Sequence, residues 1–175
     1  NNQVVAEVLF DALDKNISLE IGDQAFGSCA ALAKIALPEG LSEITESMFA
    51  SCKTLEEIVI PSTVASIANK AFYGCSKLKT LTFSETPEGQ KPVDLVIQDA
   101  AKGSDNNGYT NSPFYGCTSL KNVVLPERLT VVGRLAFGGL VSGRYGEKYV
   151  TAIESISLPS TLKEIRDSAF LNAQN

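Results

Sequence analysis

The chain contains no histidine. That removes the commonest general base, the Ser–His and Cys–His nucleophile pairs, and the commonest protein metal ligand. Cations are also in deficit: 15 Lys and Arg stand against 20 Asp and Glu, a net charge of −5. Binding a phosphate backbone needs clustered Lys and Arg, so nucleic acid is not an expected partner. No apolar run approaches the roughly 20 residues that cross a bilayer as a helix, so a membrane-spanning chain is not expected. No secretory signal pattern opens the sequence. Asn1 is not an initiator methionine, so the sequence reads as a mature form or an excised piece, with any signal or anchor removed.

What is present is a period. Phe26, Phe49 and Phe72 are 23 residues apart, and Cys29, Cys52 and Cys75 keep the same step. Fixed self-similarity of this kind means one structural unit stacked repeatedly. From Ile21 the copy runs through Phe26, Cys29, Leu32, Ile35, Leu37, Pro38 and Leu41. From Ile44 the same offsets give Phe49, Cys52, Leu55, Ile58, Ile60, Pro61 and Val64. The pattern continues from Ile67, resumes at Phe114 and Phe137, and closes with Ile153 to Phe170. Phe72 to Phe114 exceeds one period by 19 residues, and Phe137 to Phe170 by 10. The excess marks two insertions, at about 84–113 and 138–152.

The physics of one copy is legible. Ile-x-Leu, as in Ile35 and Leu37, alternates with period two and predicts a short strand. The proline that follows (Pro38, Pro61, Pro126, Pro159) lacks an N–H and suits a strand exit. Leu-x-x-Ile predicts a second extended segment, and Phe with Cys closes the turn. One copy cannot bury its own apolar residues, whereas stacked copies share a continuous core. With 44% hydrophobic residues among 175, the chain suits one such domain.

The run AFGSCAALAKIALPEGLSEITESMFASCKTLEEIVIPSTVASIANKAFYGCSKLKTLTF resembles the BspA-type leucine-rich repeat family. The shared pattern is Ile-x4-Phe-x2-Cys-x2-Leu-x2-Ile-x-Leu-Pro-x2-Leu. The resemblance covers residues 21 to 83, 114 to 137 and 153 to 170. It implies a mostly β fold, a right-handed parallel-β solenoid of 23-residue coils. It also implies surface or secreted proteins of host-associated bacteria that adhere to host matrix proteins or other cells. The family brings no catalytic residues and no cofactor to transfer.

Residues 1–20 fall outside the repeat. Val5, Val8, Leu9, Ala12 and Leu13 lie on one helical face, which predicts a short capping helix; a degenerate coil is the competing reading. In the first insertion Leu95 to Ile97 predicts an added strand within an enlarged coil, and Gly103 to Asn111 a polar turn cluster. Asp105, Asn106 and Asn107 lack the spacing and distal Glu of a calcium loop. The second insertion holds Gly138, Gly139, Gly143 and Gly146 without a nucleotide-binding spacing.

The cysteines occupy equivalent sites on successive coils. Side chains there run parallel, holding Cβ atoms near the ~4.8 Å strand spacing, beyond the usual disulfide separation of about 3.5–4.5 Å. Free thiols packed as small apolar groups are expected. A linear ladder also cannot converge as a zinc site must. Ser76 to Lys79 and Ser160 to Lys163 match Ser-x-x-Lys, but both serines are repeat positions in turns.

Surface remains. The outward strand residues are Lys34 and Ala36, Glu57 and Val59, Thr80 and Thr82, Asn122 and Val124, then Ser155 and Ser157. They form two rows, one small and partly apolar, that suit a protein partner; β-branched residues chosen for strand propensity are the plain alternative. Tyr109, Tyr145 and Tyr149, on the insertions, join them as candidate partner-binding residues. Tyr73 and Tyr115 share one repeat offset, which gives Tyr115 a structural reading as well. The sequence thus predicts a non-catalytic, monomeric recognition or adhesion module, extracellular or on the cell surface. Its partner would be a host or bacterial surface protein, or a glycan; a spacer segment of a longer surface protein is the alternative.

Overall fold

The computed structural model describes residues 5–10, 19–101, 111–138, 152–171 and 173. Among these no residue is helical, and every strand pairing between named elements is parallel.

Alternation sets the first strand of each coil. In β4 (Glu57–Ile60) Glu57 and Val59 are exposed while Ile58 and Ile60 are buried. The same place is taken by β2 (Lys34–Ile35), β6 (Thr80–Phe83), β8 (Asn122–Val124) and β10 (Ser155–Ser157). β1 (Glu7–Val8) precedes them, and β1–β2, β4–β6 and β8–β10 are hydrogen-bonded pairs. The second strand of each coil builds a five-stranded sheet: β3 (Glu43–Ile44), β5 (Ser66–Ile67), β7 (Leu95–Ile97), β9 (Leu129–Val132) and β11 (Glu164–Ile165).

Between the sheets runs the core. Phe26, Phe49, Phe72, Phe114, Phe137 and Phe170 form a ladder with neighbouring centroids 4.8–5.7 Å apart and rings within 10° of parallel. Each inner ring therefore gains ring contacts on both sides in addition to burial. The turn holding each Phe is itself laddered: Phe49 N–H donates to Ala71 O at 2.8 Å, and Phe72 N–H to Pro113 O at 2.8 Å. The thiols complete this side. Cys52, Cys75 and Cys117 Sγ donate to the carbonyls of Phe26, Phe49 and Phe72 at 3.1–3.2 Å, and all four cysteines are free.

The first insertion divides around β7. Leu81 to Ile97 is 16 residues where Ile58 to Ile67 is nine, and Ile97 to Phe114 is 17 where Ile67 to Phe72 is five. The added strand predicted at Leu95 to Ile97 is therefore the second strand of the third coil, placed between β5 and β9. A register shift at Leu95/Val96 absorbs the mismatch.

The helix predicted from the N-terminal apolar pattern does not form in residues 5–10. Glu7 and Val8 instead pair with Lys34 and Ile35. Ala6 O accepts from Ala33 N–H at 2.8 Å, and Val8 O from Ala36 N–H at 3.4 Å. An isolated helix this short is marginal in water. The edge of β2 offers backbone groups that need partners, and a strand supplies them. Val5 and Leu9 stay exposed while Val8 packs against the core, the alternation of a strand rather than one apolar helix face.

Candidate functional site

The first-strand face carries the predicted surface. Lys34, Ala36, Glu57, Val59, Thr80 and Thr82 line one groove of about 320 Å³, together with Glu7 and Leu9. Asn122 and Val124 continue the face on β8, which lies beside β6. One row along it runs Leu9, Ala36, Val59, Thr82, Val124. Val59 is 51% exposed and Val124 68%, while the alternate residues Ile58 and Val123 are each 1% exposed. The neighbouring row alternates in charge through Glu7, Lys34 and Glu57 and ends uncharged at Thr80, Asn122 and Ser155. Sequence reasoning missed Glu7 and Leu9, because the helical reading of their segment hid its alternation. Tyr109, Tyr145, Tyr149, the Asp105–Asn107 cluster and most of the second insertion lie outside the described residues.

The first insertion opens a second concavity. Its described part, with Thr86, Lys91 and Pro92, forms one wall of a cleft of about 710 Å³; Glu127, Thr130, Thr161 and Lys163 form the other. Arg128 anchors this edge from below. It is 6% exposed, and Nη2 donates to Pro61 O at 2.8 Å while Nη1 donates to Val64 O and Val93 O. The guanidinium thus bridges three coils where the loop swings out of the stack. Burial pulls its pKa down, and the Glu39 charge acts the other way.

Several titratable groups elsewhere are tied into coil-to-coil pairs. Lys79 Nζ meets Glu56 at 3.0 Å, and Lys163 Nζ meets Asp94 at 3.7 Å. Ser160 Oγ donates to Glu127 at 2.8 Å. Lys79, Lys163 and Ser160 of the Ser-x-x-Lys matches are thus each engaged with a carboxylate. Burial would raise the Asp99 carboxyl, but the Arg134 N–H at 2.7 Å and the Arg166 guanidinium at 3.1 Å hold it below the usual carboxylate range. Burial pushes the Cys52 thiol up to about 11, with Cys29 adding to it, and pushes Cys75 and Cys117 further up. Protonated thiols of this kind are poor nucleophiles and poor metal ligands. Among the described residues no group of three or more Cys, Asp or Glu could hold a metal ion.

Six copies of the BspA type leucine rich repeat region match this sequence, over residues 13–89 and 109–175. The chain belongs to the BspA-type leucine-rich repeat family. Two solved members of the leucine-rich repeat class share its fold. A leucine-rich repeat protein of T. pallidum is 21% identical with a TM-score of 0.59, over 91% of this chain and 68% of that one. A leucine-rich cell surface protein of Faecalibacterium prausnitzii A2-165 is 22% identical with a TM-score of 0.60, over 97% of this chain and 40% of that one. No protein of curated function matches the sequence significantly. As a BspA-type repeat chain it falls in a repeat family that suggests a protein-interaction or surface module. Among the described residues no helix is long and apolar enough to cross a membrane.

Proposed function

We propose that the chain is a non-catalytic recognition module, on the cell surface or secreted, that adheres to a host or bacterial surface protein. The first-strand face is the contact surface, with the first-insertion cleft at its edge. The observation that carries this reading is the row Leu9, Ala36, Val59, Thr82, Val124. It combines exposed apolar side chains with an adjacent row where charge alternates and then fades. Apolar side chains aligned on a rigid sheet present contact area that costs little entropy to order on binding. The row is set by the coil register, so a partner meets a regular array rather than a mobile loop.

The test is a solution binding screen of the purified chain against host matrix proteins at physiological salt, followed by Val59→Glu with Val124→Glu. Both side chains are exposed, so the far-UV spectrum should stay unchanged. Affinity for any partner found should fall at least tenfold, since a buried unpaired carboxylate is costly at an interface. A partner bound equally well by the double variant would remove the strand face from the model. No partner at all, from a folded chain, would favour a spacer role.

A further inference from the structure

A second surface lies on the Phe–Cys side of the coils, away from the strand face. Phe72-Tyr73-Gly74-Cys75 and Phe114-Tyr115-Gly116-Cys117 repeat one tetrad in two successive coils. Tyr73 and Tyr115 stack at 5.2 Å with rings 11° from parallel. Tyr115 is 7% exposed, and Tyr73 is half-buried. The preceding coil has Ala50 at this offset, so the ring ladder ends at Tyr73 with small residues beyond it. Beside the pair runs a groove of about 430 Å³, whose lining adds Ser51, Lys53, Ser76 and Thr118.

The groove floor is glycine, and backbone conformation alone does not demand it. Gly74 and Gly116 have φ of 71° and 78°, but Ser28 and Ser51 take the same offset at 60° and 62°. A Cβ on Gly74 would meet nothing nearer than Ser51 Oγ at 3.6 Å, an ordinary contact, whereas one on Gly116 would lie 3.3 Å from Gly74 Cα, so packing favours glycine at the second position. At Gly74, beside Tyr73, the missing side chain leaves the floor open.

We infer that this groove is a binding site for an acidic saccharide. The apolar face of a sugar ring packs against Tyr73, the half-buried end of the Tyr73–Tyr115 stack that lines the groove. Ser51, Ser76 and Thr118 line the groove beside it; Thr118 Oγ1 donates to Ser76 O at 3.3 Å and keeps its lone pairs for a ligand hydroxyl. Among the described residues Lys53 is the single charged group in the lining, in a chain of net charge −5. Among the described residues no carboxylate lines the groove, so an anionic ligand meets the Lys53 cation there, while a cationic one is opposed. The volume suits a small oligosaccharide rather than a protein surface.

The test is titration of the ¹⁵N-labelled intact chain with hyaluronan tetrasaccharide, whose glucuronate rings carry carboxylates, and separately with neutral chitotetraose. Saturable shifts are expected at Ser51, Lys53, Tyr73 and Ser76, with chitotetraose at least tenfold weaker. Lys53→Gln changes an exposed side chain and should weaken hyaluronan at least fivefold without touching the fold. Tyr73→Ala should weaken both sugars. No saturable shift in this groove with hyaluronan, sialyllactose or a sulfated disaccharide would overturn the inference. So would equal affinity for the neutral sugar, an unchanged affinity in Lys53→Gln, or equal binding of tetraglutamate. Val59→Glu with Val124→Glu should leave this titration unaltered, which separates it from the strand-face reading.

Discussion

At the scale of single residues, backbone geometry selects more sharply than side-chain chemistry. Phe26, Phe49 and Phe72 each sit between two left-handed positions, as Ser47 and Ser51 around Phe49 show with φ of 56° and 62°. Such residues cost on the order of 1 kcal/mol each unless glycine takes them. They went unread in the sequence because Gln24, Ser47, Lys70 and Leu135 share no side-chain signature. Gly133 makes the sharper case. A Cβ there would lie 2.4 Å from the Gln98 carbonyl carbon and oxygen and 2.5 Å from Ile97 O. Backbone cannot swing aside as a side-chain tip does. Gly133→Ala should cost about 1–3 kcal/mol by overpacking, read as a lower urea midpoint. Gly22, with nothing within 4 Å of an added Cβ, is the control and should change by less than about 0.5 kcal/mol. Equal midpoints for the two variants would mean that residues 97–98 do not lie against Gly133.

Elements were legible where the repeat is regular. The Ile-x-Leu strands, the second strands and the Phe–Cys turns follow from residue offsets, because each offset has one inward direction in a stacked coil. Two features were not. Counting gives the first insertion's total but not its split around β7, which depends on where Leu95–Ile97 finds an open sheet edge. The segment Glu7–Val8 is too short for periodicity to separate strand from helix, and pairing with β2 decided it. The ring ladder itself is open to test. Phe49 is fully buried between Phe26 and Phe72, with centroids 5.5 and 5.4 Å away. Phe49→Ala should cost about 3–5 kcal/mol; a loss under about 1 kcal/mol would break the stacking register. The thiol ladder makes a pH prediction. The Cys52 pKa is raised from 9.0 to about 11. A raised folded pKa holds the proton more tightly than the unfolded chain does, so its stability is present below pH 9. It is lost as pH climbs from 9 through 11. Cys75 and Cys117, raised further by burial, extend the loss in the same direction. Denaturation midpoints should therefore decline above pH 9, and a Cys52→Ala, Cys75→Ala, Cys117→Ala variant should decline less steeply. Parallel pH curves would mean that the thiols ionise as freely folded as unfolded.

Across the whole molecule, stability follows position in the stack. A coil touches only its neighbours, so inner coils are held from two sides and outer ones from one. Burial records this at a single repeat offset. Ile44, Ile67, Ile97 and Val132 are 0% exposed, whereas Ile165, the same offset in the last coil, is 48% exposed. Leu158 is 44% exposed where its counterpart Ile60 is 0%. The hydrogen bonds of β10 and β11 are accordingly backed by less buried apolar surface than those of β5, β7 and β9. In the chain of residues 1–175, local opening of the coil at 153–170 should then cost much less than opening of the middle ones. Native-state hydrogen exchange checks this directly. Ser155 N–H and Arg166 N–H, which donate to Lys121 O at 3.1 Å and Val132 O at 2.9 Å, should exchange early. Ala68 N–H and Gln98 N–H, which donate to Ile44 O and Ile67 O at 2.9 Å each, should exchange last and track global unfolding. Uniform protection across these four amides would mean that the coils open as one cooperative unit, and nearest-neighbour stacking would then be the wrong description of this solenoid.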